Sequence, residues 1–416
     1  MGDDSAAGAA VRSRRRWWAV GGLVVARTAW VLTSVVLMVA SGVAWATYQD
    51  LDAGMQRSDA IAADAPRSPG GADGAVNILL MGLTTRLDLN GDPLPEDLLR
   101  RLNAGESDRG GYNANTLMLL HVPNNGSPAT AFSVPRDDYV DFVGVPAGPK
   151  QGKIKEAYGR AKEIEEDRLT ANGLRDRHEL ERLGREAGRR AQVETVRAFL
   201  NVPIDHLVEL SLVGFYHLAD ALGGVDVCLN NATRDHFSGA NFPAGRQHLD
   251  AAQALSFVRQ RHELANGDLD RTRRQQAFLA SVTRQLKGRG VFSDLGALRA
   301  LLGVAKQDVV LDSGWDILDF IRQAPNLAGG VQFRTLPILD VTTVDGQIVN
   351  TVDRAAVRAM VSAPAVRSAP GTSAVAGPRP ALTAPGSGER QRVSEILVID
   401  EGPGGGEAAN GIPCVD

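Results

Sequence analysis

The chain has 416 residues, a net charge of −4 and 44% hydrophobic residues. That length suits two or three average domains, or one large α/β domain with tails. The near-balanced charge excludes a polycation that binds nucleic acid in bulk. Two cysteines, with no CxxC pair and no HExxH, exclude zinc sites of the usual spacing.

At the N-terminus Arg12, Arg14, Arg15 and Arg16 precede an apolar run, and no charge occurs from Thr28 to Thr47. At about 1.5 Å per residue that segment spans roughly 30 Å, the hydrocarbon thickness of a bilayer. Trp30 and Trp45 sit near its ends, as interfacial aromatics do. The basic flank predicts residues 1–27 in the cytoplasm, 28–47 as a transmembrane helix and the remainder outside the cell. A cleaved signal is the competing reading, with Ser13-Arg14-Arg15 as a twin-arginine-like start and Ala44-Trp45-Ala46 as a cleavage site. The run is longer than a signal h-region, which favours an uncleaved anchor.

Residues 48–75 are rich in Ala, Asp, Gly and Pro and read as a flexible stalk. A globular domain is expected over 76–362. Short apolar runs at 76–81, 116–122 and 129–134 read as strands, the last two joined as a hairpin by Pro-Asn-Asn-Gly at 123–126. A charged, proline-free section from 155 to 200 reads as one long helical stretch. A strand at 206–211, a helix at 213–222 stopped by Gly223-Gly224, and a strand at 225–229 follow. Helices are expected to end near Phe257 and to run over 271–286, the latter preceded by Asp268 as a cap. Further helices are expected near 294–305 and 315–324, and strands at 331–336 and within 340–352. Residues 363–416 form a Pro/Gly-rich linker and tail, with one late strand over 392–400. The alternation of elements predicts an α/β fold with a mixed central β-sheet.

The run FVRQRHELANGDLDRTRRQQ, Phe257 to Gln276, holds five arginines, and AFSVPRDDYV adds Arg136 and Asp137 just beyond a strand. Guanidinium groups grip phosphate oxygens with paired hydrogen bonds, and helix N-termini favour anions. Arg259, Arg261, Arg271 and Arg274, with Arg86 closing GLTTR, therefore suit a phosphate site; the alternative is a salt-bridged surface. Gly148–Lys153 lacks the spacing of a P-loop, and no GxSxG elbow occurs. Cys228 and Cys414 both fall in the segment predicted to lie outside, where disulfides persist. A bond between them, pinning the tail to the domain, is expected; the alternative is two unrelated thiols.

NILLMGLTTR, NANTLMLLHV, AFSVPRDDYV, KIKEAYGRA, VPIDHLVELSLVGFYHLADALGGVDVCL and the arginine run follow one another as in the LytR-CpsA-Psr family, which the chain resembles over roughly residues 76–345 in its actinobacterial form. The resemblance implies an α/β/α sandwich with a hydrophobic cleft for a polyprenyl tail. It implies a phosphotransferase that moves a glycopolymer, such as teichoic acid, from undecaprenyl diphosphate to peptidoglycan on the outer face of the membrane. It further implies Arg86, Arg136, Arg259, Arg261, Arg271, Arg274 and Gln275 as the diphosphate-binding set. Arg136, Asp137, Arg261 and Arg271 would be catalytic, and Asp268 and Asp137 would hold Mg²⁺ (or Mn²⁺). Two positions depart from the family pattern: Thr84 and Asn115 stand where the family carries aspartates. Either can still offer an oxygen ligand or hydrogen bond, but neither acts as a carboxylate base or neutralises a metal's charge as well. Other readings are a lipid pyrophosphatase, a non-catalytic polyprenyl-lipid or wall-binding protein, and a membrane-anchored transcriptional attenuator. The attenuator would need a DNA-binding element, for which the segment before Arg27 is too short.

Overall fold

The computed structural model describes residues 54–62, 64–66, 68, 75–105, 111–125, 127–288, 295–316, 331–363 and 412–416. The expected cytoplasmic segment and transmembrane helix lie outside these residues, as does the late strand over 392–400. No helix among the described residues is long and apolar enough to cross a membrane.

In chain order the elements begin with β1 (Gln56–Ser58), β2 (Val76–Leu83), α1 (Glu96–Arg101), β3 (Ala114–Val122), β4 (Ala129–Val134), β5 (Tyr139–Asp141) and β6 (Gln151–Lys153). A 3-10 turn then leads into α2 (Ala157–Ala171) and α3 (Arg177–Leu200). The charged section is thus two helices rather than one. Gly173, at φ +97°, turns the chain, and the Asp176 carboxylate accepts from the Glu179 amide to start α3. Next come β7 (His206–Leu210), α4 (Leu212–Ala221), β8 (Val225–Leu229), β9 (Thr233–Asp235), β10 (Ala240–Phe242) and β11 (Gly245–Leu249). A capping box of Asp250 and Gln253 starts α5 (Ala251–Arg259). α6 (Asp268–Gly288) follows, with Asp268 in its first turn rather than before it. The described chain closes with α7 (Leu295–Asp308), β12 (Val309–Asp312), β13 (Val331–Thr335), β14 (Asp340–Val344), β15 (Gln347–Thr351), α8 (Arg354–Ser362) and β16 (Cys414–Val415). Trp315 and Asp316 are not helical, and the rest of the helix expected over 315–324 lies outside the described residues.

Seven strands form a mixed sheet in the order β1-β12-β7-β2-β3-β4-β13. β2 runs antiparallel to β3 and parallel to β7, and β3 pairs with β4 as the expected hairpin. Alternation along the strands sends Leu79, Met81, Leu117, Leu119 and Phe132 to a core with Val193, Val196 and Phe199 of α3. Met118, Ala131 and Phe333 pack on the opposite face with Leu279 of α6. On that side α4, α5 and α6 share a second core with β8, β11 and β16.

Two expectations change here. The stretch read as stalk is structured in part: β1 pairs with β12, Gln56 opposite Val310, and Ala60 and Ile61 enter the main core. Ser68 is held by both oxygens of Asp205. The tail, in contrast, is pinned as expected. Cys228 and Cys414 form a disulfide, and β16 pairs in parallel with β8.

Candidate active site

A cavity of about 590 Å³ opens between the sheet and α4, α5 and α6. Its inner walls are apolar: Leu80, Met118 and Val208 from strands, Phe215 and Leu218 from α4, Leu255 from α5, Phe278 and Leu279 from α6. Its mouth is polar, carrying Thr84, Asn115, Arg86, Arg136, Arg259, Arg261, Arg271 and Gln275. The sheet comes close enough to line this cavity because residue 82 is glycine. A Cβ there would meet the Thr116 Cβ at 2.9 Å, and β2 shifts register between Gly82 and Leu83.

Arg136, just past β4, is buried, and its Nη1 donates to Asn115 Oδ1 at 2.7 Å. Asn115 Nδ2 in turn donates to Thr84 Oγ1 at 2.6 Å. Arg271 Nη2 donates to Asp268 Oδ2 at 2.9 Å and to the Asn115 carbonyl at 3.3 Å. Arg136 Nε lies 3.1 Å from Asp268 Oδ1. That pair is misaligned, so both atoms are buried without a hydrogen-bond partner, and so is Arg271 Nε. Arg271 Nε thus lacks an acceptor among the described residues, while Arg136 Nε has only the misaligned carboxylates of Asp268 and Asp137.

The electrostatics agree. Burial and the neighbouring Arg136 lower the Arg271 pKa to about 10. Burial and Arg86 lower that of Arg259 to about 10. Both remain cationic at neutral pH, in a site with more positive charge than its acids offset, so an anion is favoured there. Arg259 Nη1 donates to the Leu102 carbonyl at 2.7 Å, Arg86 Nε to that of Ala104, and Gln275 Nε2 to Thr116 Oγ1 at 3.2 Å. Arg261 is exposed and makes no hydrogen bond or ion pair among the described residues.

Two expected site residues face elsewhere. Arg274 is fully buried, donates from Nε to the Asp416 carbonyl (2.8 Å) and from Nη1 to Gln260 Oε1 (2.7 Å), and stacks on Phe257. It ties α6 to the tail and does not line the cavity. Asp137 does not line it either. Burial would push its carboxyl up, but the Lys155 hydrogen bond, Arg136 and Lys153 outweigh that and hold it below the usual range. The reading of the sequence passed over Lys153, Lys155 and Gln260. Lys153 ends β6 and Lys155 lies in the turn after it, and that short strand carried no signal in the sequence.

A family model, LytR_cpsA_psr, matches residues 39–364. The chain belongs to that family. A cell wall biosynthesis protein, LcpA of Corynebacterium glutamicum, is 43% identical over 288 residues, which cover 68% of this chain and 54% of LcpA. A polyisoprenyl-teichoic acid–peptidoglycan teichoic acid transferase, TagU of Bacillus mycoides, is 31% identical over 229 residues, covering 55% of this chain and 63% of TagU. The chain therefore spans little more than half the length of these curated relatives. A crystal structure of protein gbs0355 from Streptococcus agalactiae shares the fold at TM-score 0.51 and 16% identity, covering 69% of this chain and 85% of that one.

The resemblance brings with it a divalent metal, and the donors present do not fit one held by the protein. Among the described residues no three acids, histidines or cysteines come together. Asp268 lies beside the mouth, and guanidinium groups face both its oxygens. Asp137 is already neutralised by ammonium groups, and Thr84 and Asn115 bring no charge. The expected metal ligands Asp268 and Asp137 thus serve as partners of arginine and lysine.

Proposed function

We propose that this chain is a phosphotransferase that moves a polyprenyl-diphosphate-linked glycopolymer onto peptidoglycan in wall assembly. The observation that carries the reading is the joining of an apolar cavity to a mouth lined by the buried guanidinium groups of Arg136 and Arg271. The apolar part suits a polyprenyl tail, and the arginines suit the diphosphate. LcpA and TagU, named for cell wall biosynthesis and for teichoic acid transfer, point the same way.

In this mechanism Arg136 and Arg271 hold the diphosphate and Arg259 and Arg261 screen its outer oxygens. The wall hydroxyl attacks the phosphorus that bears the glycopolymer. A new P–O bond forms as the bond to polyprenyl phosphate breaks, and that phosphate leaves with its charge on the arginines. The acceptor proton passes to the carboxylate of Asp268, which lies between Arg136 and Arg271 beside the mouth. Water in place of the hydroxyl would give a pyrophosphatase side reaction. The segment 28–47 would anchor the chain with its N-terminus in the cytoplasm and the domain outside. A reporter fused after Asp416 should then be active only on the outer side.

The test is transfer of a labelled polyprenyl-diphosphate oligosaccharide to peptidoglycan fragments. Arg271→Ala should lose at least tenfold in rate. A fully folded Arg136→Ala/Arg271→Ala double variant that transfers at the parent rate would refute the reading.

A further inference from the structure

The β9–β10 turn carries Phe237, 60% exposed and the most conspicuous apolar side chain near the arginines. Its ring centroid lies 3.9 Å from that of His236 and 4.6 Å from that of His262. The turn that displays it is fixed. The Phe237 amide donates to Asp235 Oδ1 (2.9 Å), Ser238 Oγ to Asp235 Oδ2 (2.9 Å), and Asn103 Nδ2 to the Phe237 carbonyl (3.0 Å). Gly239 at φ +80° closes it against Asn103. His262 is held from the other side, where Gln260 Nε2 donates to its carbonyl at 3.1 Å. The ring thus stands in a fixed cluster of three exposed rings, His236, Phe237 and His262, which offers a ligand a preorganised aromatic face.

The platform is continuous with the diphosphate mouth. His262 follows Arg261, which lines the cavity, and Arg259 binds the carbonyls of Leu102 and Asn103, the residue that clamps the Phe237 turn. A bilayer is a poor occupant, because Phe237 stands alone among His236, Asp235 and the exposed Arg234. A pyranose ring fits: its C–H face packs on an aromatic ring while flanking imidazole nitrogens reach hydroxyls. We infer that the His236–Phe237–His262 platform binds the sugar attached to the diphosphate, making it a donor-sugar subsite beside Arg259 and Arg261. This inference rests on the diphosphate reading of the cavity.

Calorimetry on the full chain in detergent tests it with three probes: farnesyl diphosphate, farnesyl diphosphate bearing one N-acetylglucosamine, and a soluble peptidoglycan disaccharide. The sugar-bearing diphosphate should bind the parent roughly tenfold tighter than the bare one. Phe237→Ala should abolish that gain and leave bare farnesyl diphosphate unchanged, and Phe237→Trp should retain it. The inference falls if Phe237→Ala keeps the gain or weakens both diphosphates equally. It also falls if Phe237→Ala affects only the disaccharide, which would make this an acceptor site. If the parent binds neither diphosphate, the cavity reading fails and the subsite with it; Arg271→Ala, which should weaken both diphosphates alike, separates the two failures.

Discussion

Arg274→Ala separates a structural arginine from a phosphate-binding one. Truncation removes the donors to the Asp416 carbonyl and to Gln260 Oε1, both under 3 Å, and the cation stacked 5.0 Å from the Phe257 centroid. The buried Gln260 Oε1 left without a partner costs about 1–3 kcal/mol, and with the cavity, the ring contact and the Asp416 contact included a total of roughly 3–5 kcal/mol is expected. At about 2–4 °C per kcal/mol for a domain of this size, the melting temperature should fall by roughly 6–20 °C. Thermal denaturation followed by circular dichroism measures this. Binding of farnesyl diphosphate, measured well below both transitions, should change by less than about threefold, since Arg274 does not line the cavity. An unshifted melting temperature together with a tenfold loss of affinity would refute the reasoning and return Arg274 to the diphosphate.

The opposite pattern is expected at Arg271. Arg271→Ala should weaken farnesyl diphosphate binding at least tenfold, since charge-assisted bonds are worth roughly 1.5–3 kcal/mol. Arg271→Lys should recover little because the planar fork is lost, and Arg160→Ala, which removes an ion pair with Glu156 and a contact with the Phe142 ring, both away from the cavity, should bind normally. Thr84→Asp/Asn115→Asp should create Mg²⁺ or Mn²⁺ binding, visible by calorimetry, that the parent lacks; equal titrations of the two proteins would contradict the donor assignment. Burial drives the Asp138 carboxyl well above the usual carboxylate range, with Asp137 and Asp268 adding to the effect and the Asn350 hydrogen bond opposing it. The folded chain therefore keeps a proton that the unfolded chain loses near pH 4, and stability falls as pH rises through the window above that value. Asp138→Asn keeps an acceptor for Asn350, so it should melt higher than the parent at pH 7 and show a flatter profile; an identical pH profile would count against a raised Asp138.

The main strands and the disulfide were legible because their signals are local: apolar runs ending in turns, and two cysteines in one segment. The arginine site was half legible. On α6 the cavity takes Arg271, Gln275, Phe278 and Leu279, a stripe spaced by four, seven and eight residues. Arg274 lies three positions from Arg271, about 60° further round the helix, enough to turn it to Gln260 and the tail. Composition could not reveal β1, whose partner β12 lies some 250 residues away. The charged section was misleading in another way. Arg185 and Arg189 look solvated in the sequence, yet both are buried, Arg189 in a paired contact with Glu209 of β7. Partners that distant in sequence leave no periodic trace.

The tether between Cys228 and Cys414 bears on when the protein matures. It closes a loop spanning 186 positions, for which the chain-entropy model gives about 5 kcal/mol. The strand it secures delivers the Asp416 carbonyl to Arg274, on the same helix that presents Arg271 and Gln275 to the mouth. Oxidation thus bears on stability: without the tether, the strand that supplies an acceptor to the buried Arg274 guanidinium is held only by non-covalent contacts such as its pairing with β8. A newly made chain would gain the stability of this closure only in surroundings where the bond can form, while the mouth, which Arg274 does not line, would keep its affinity throughout.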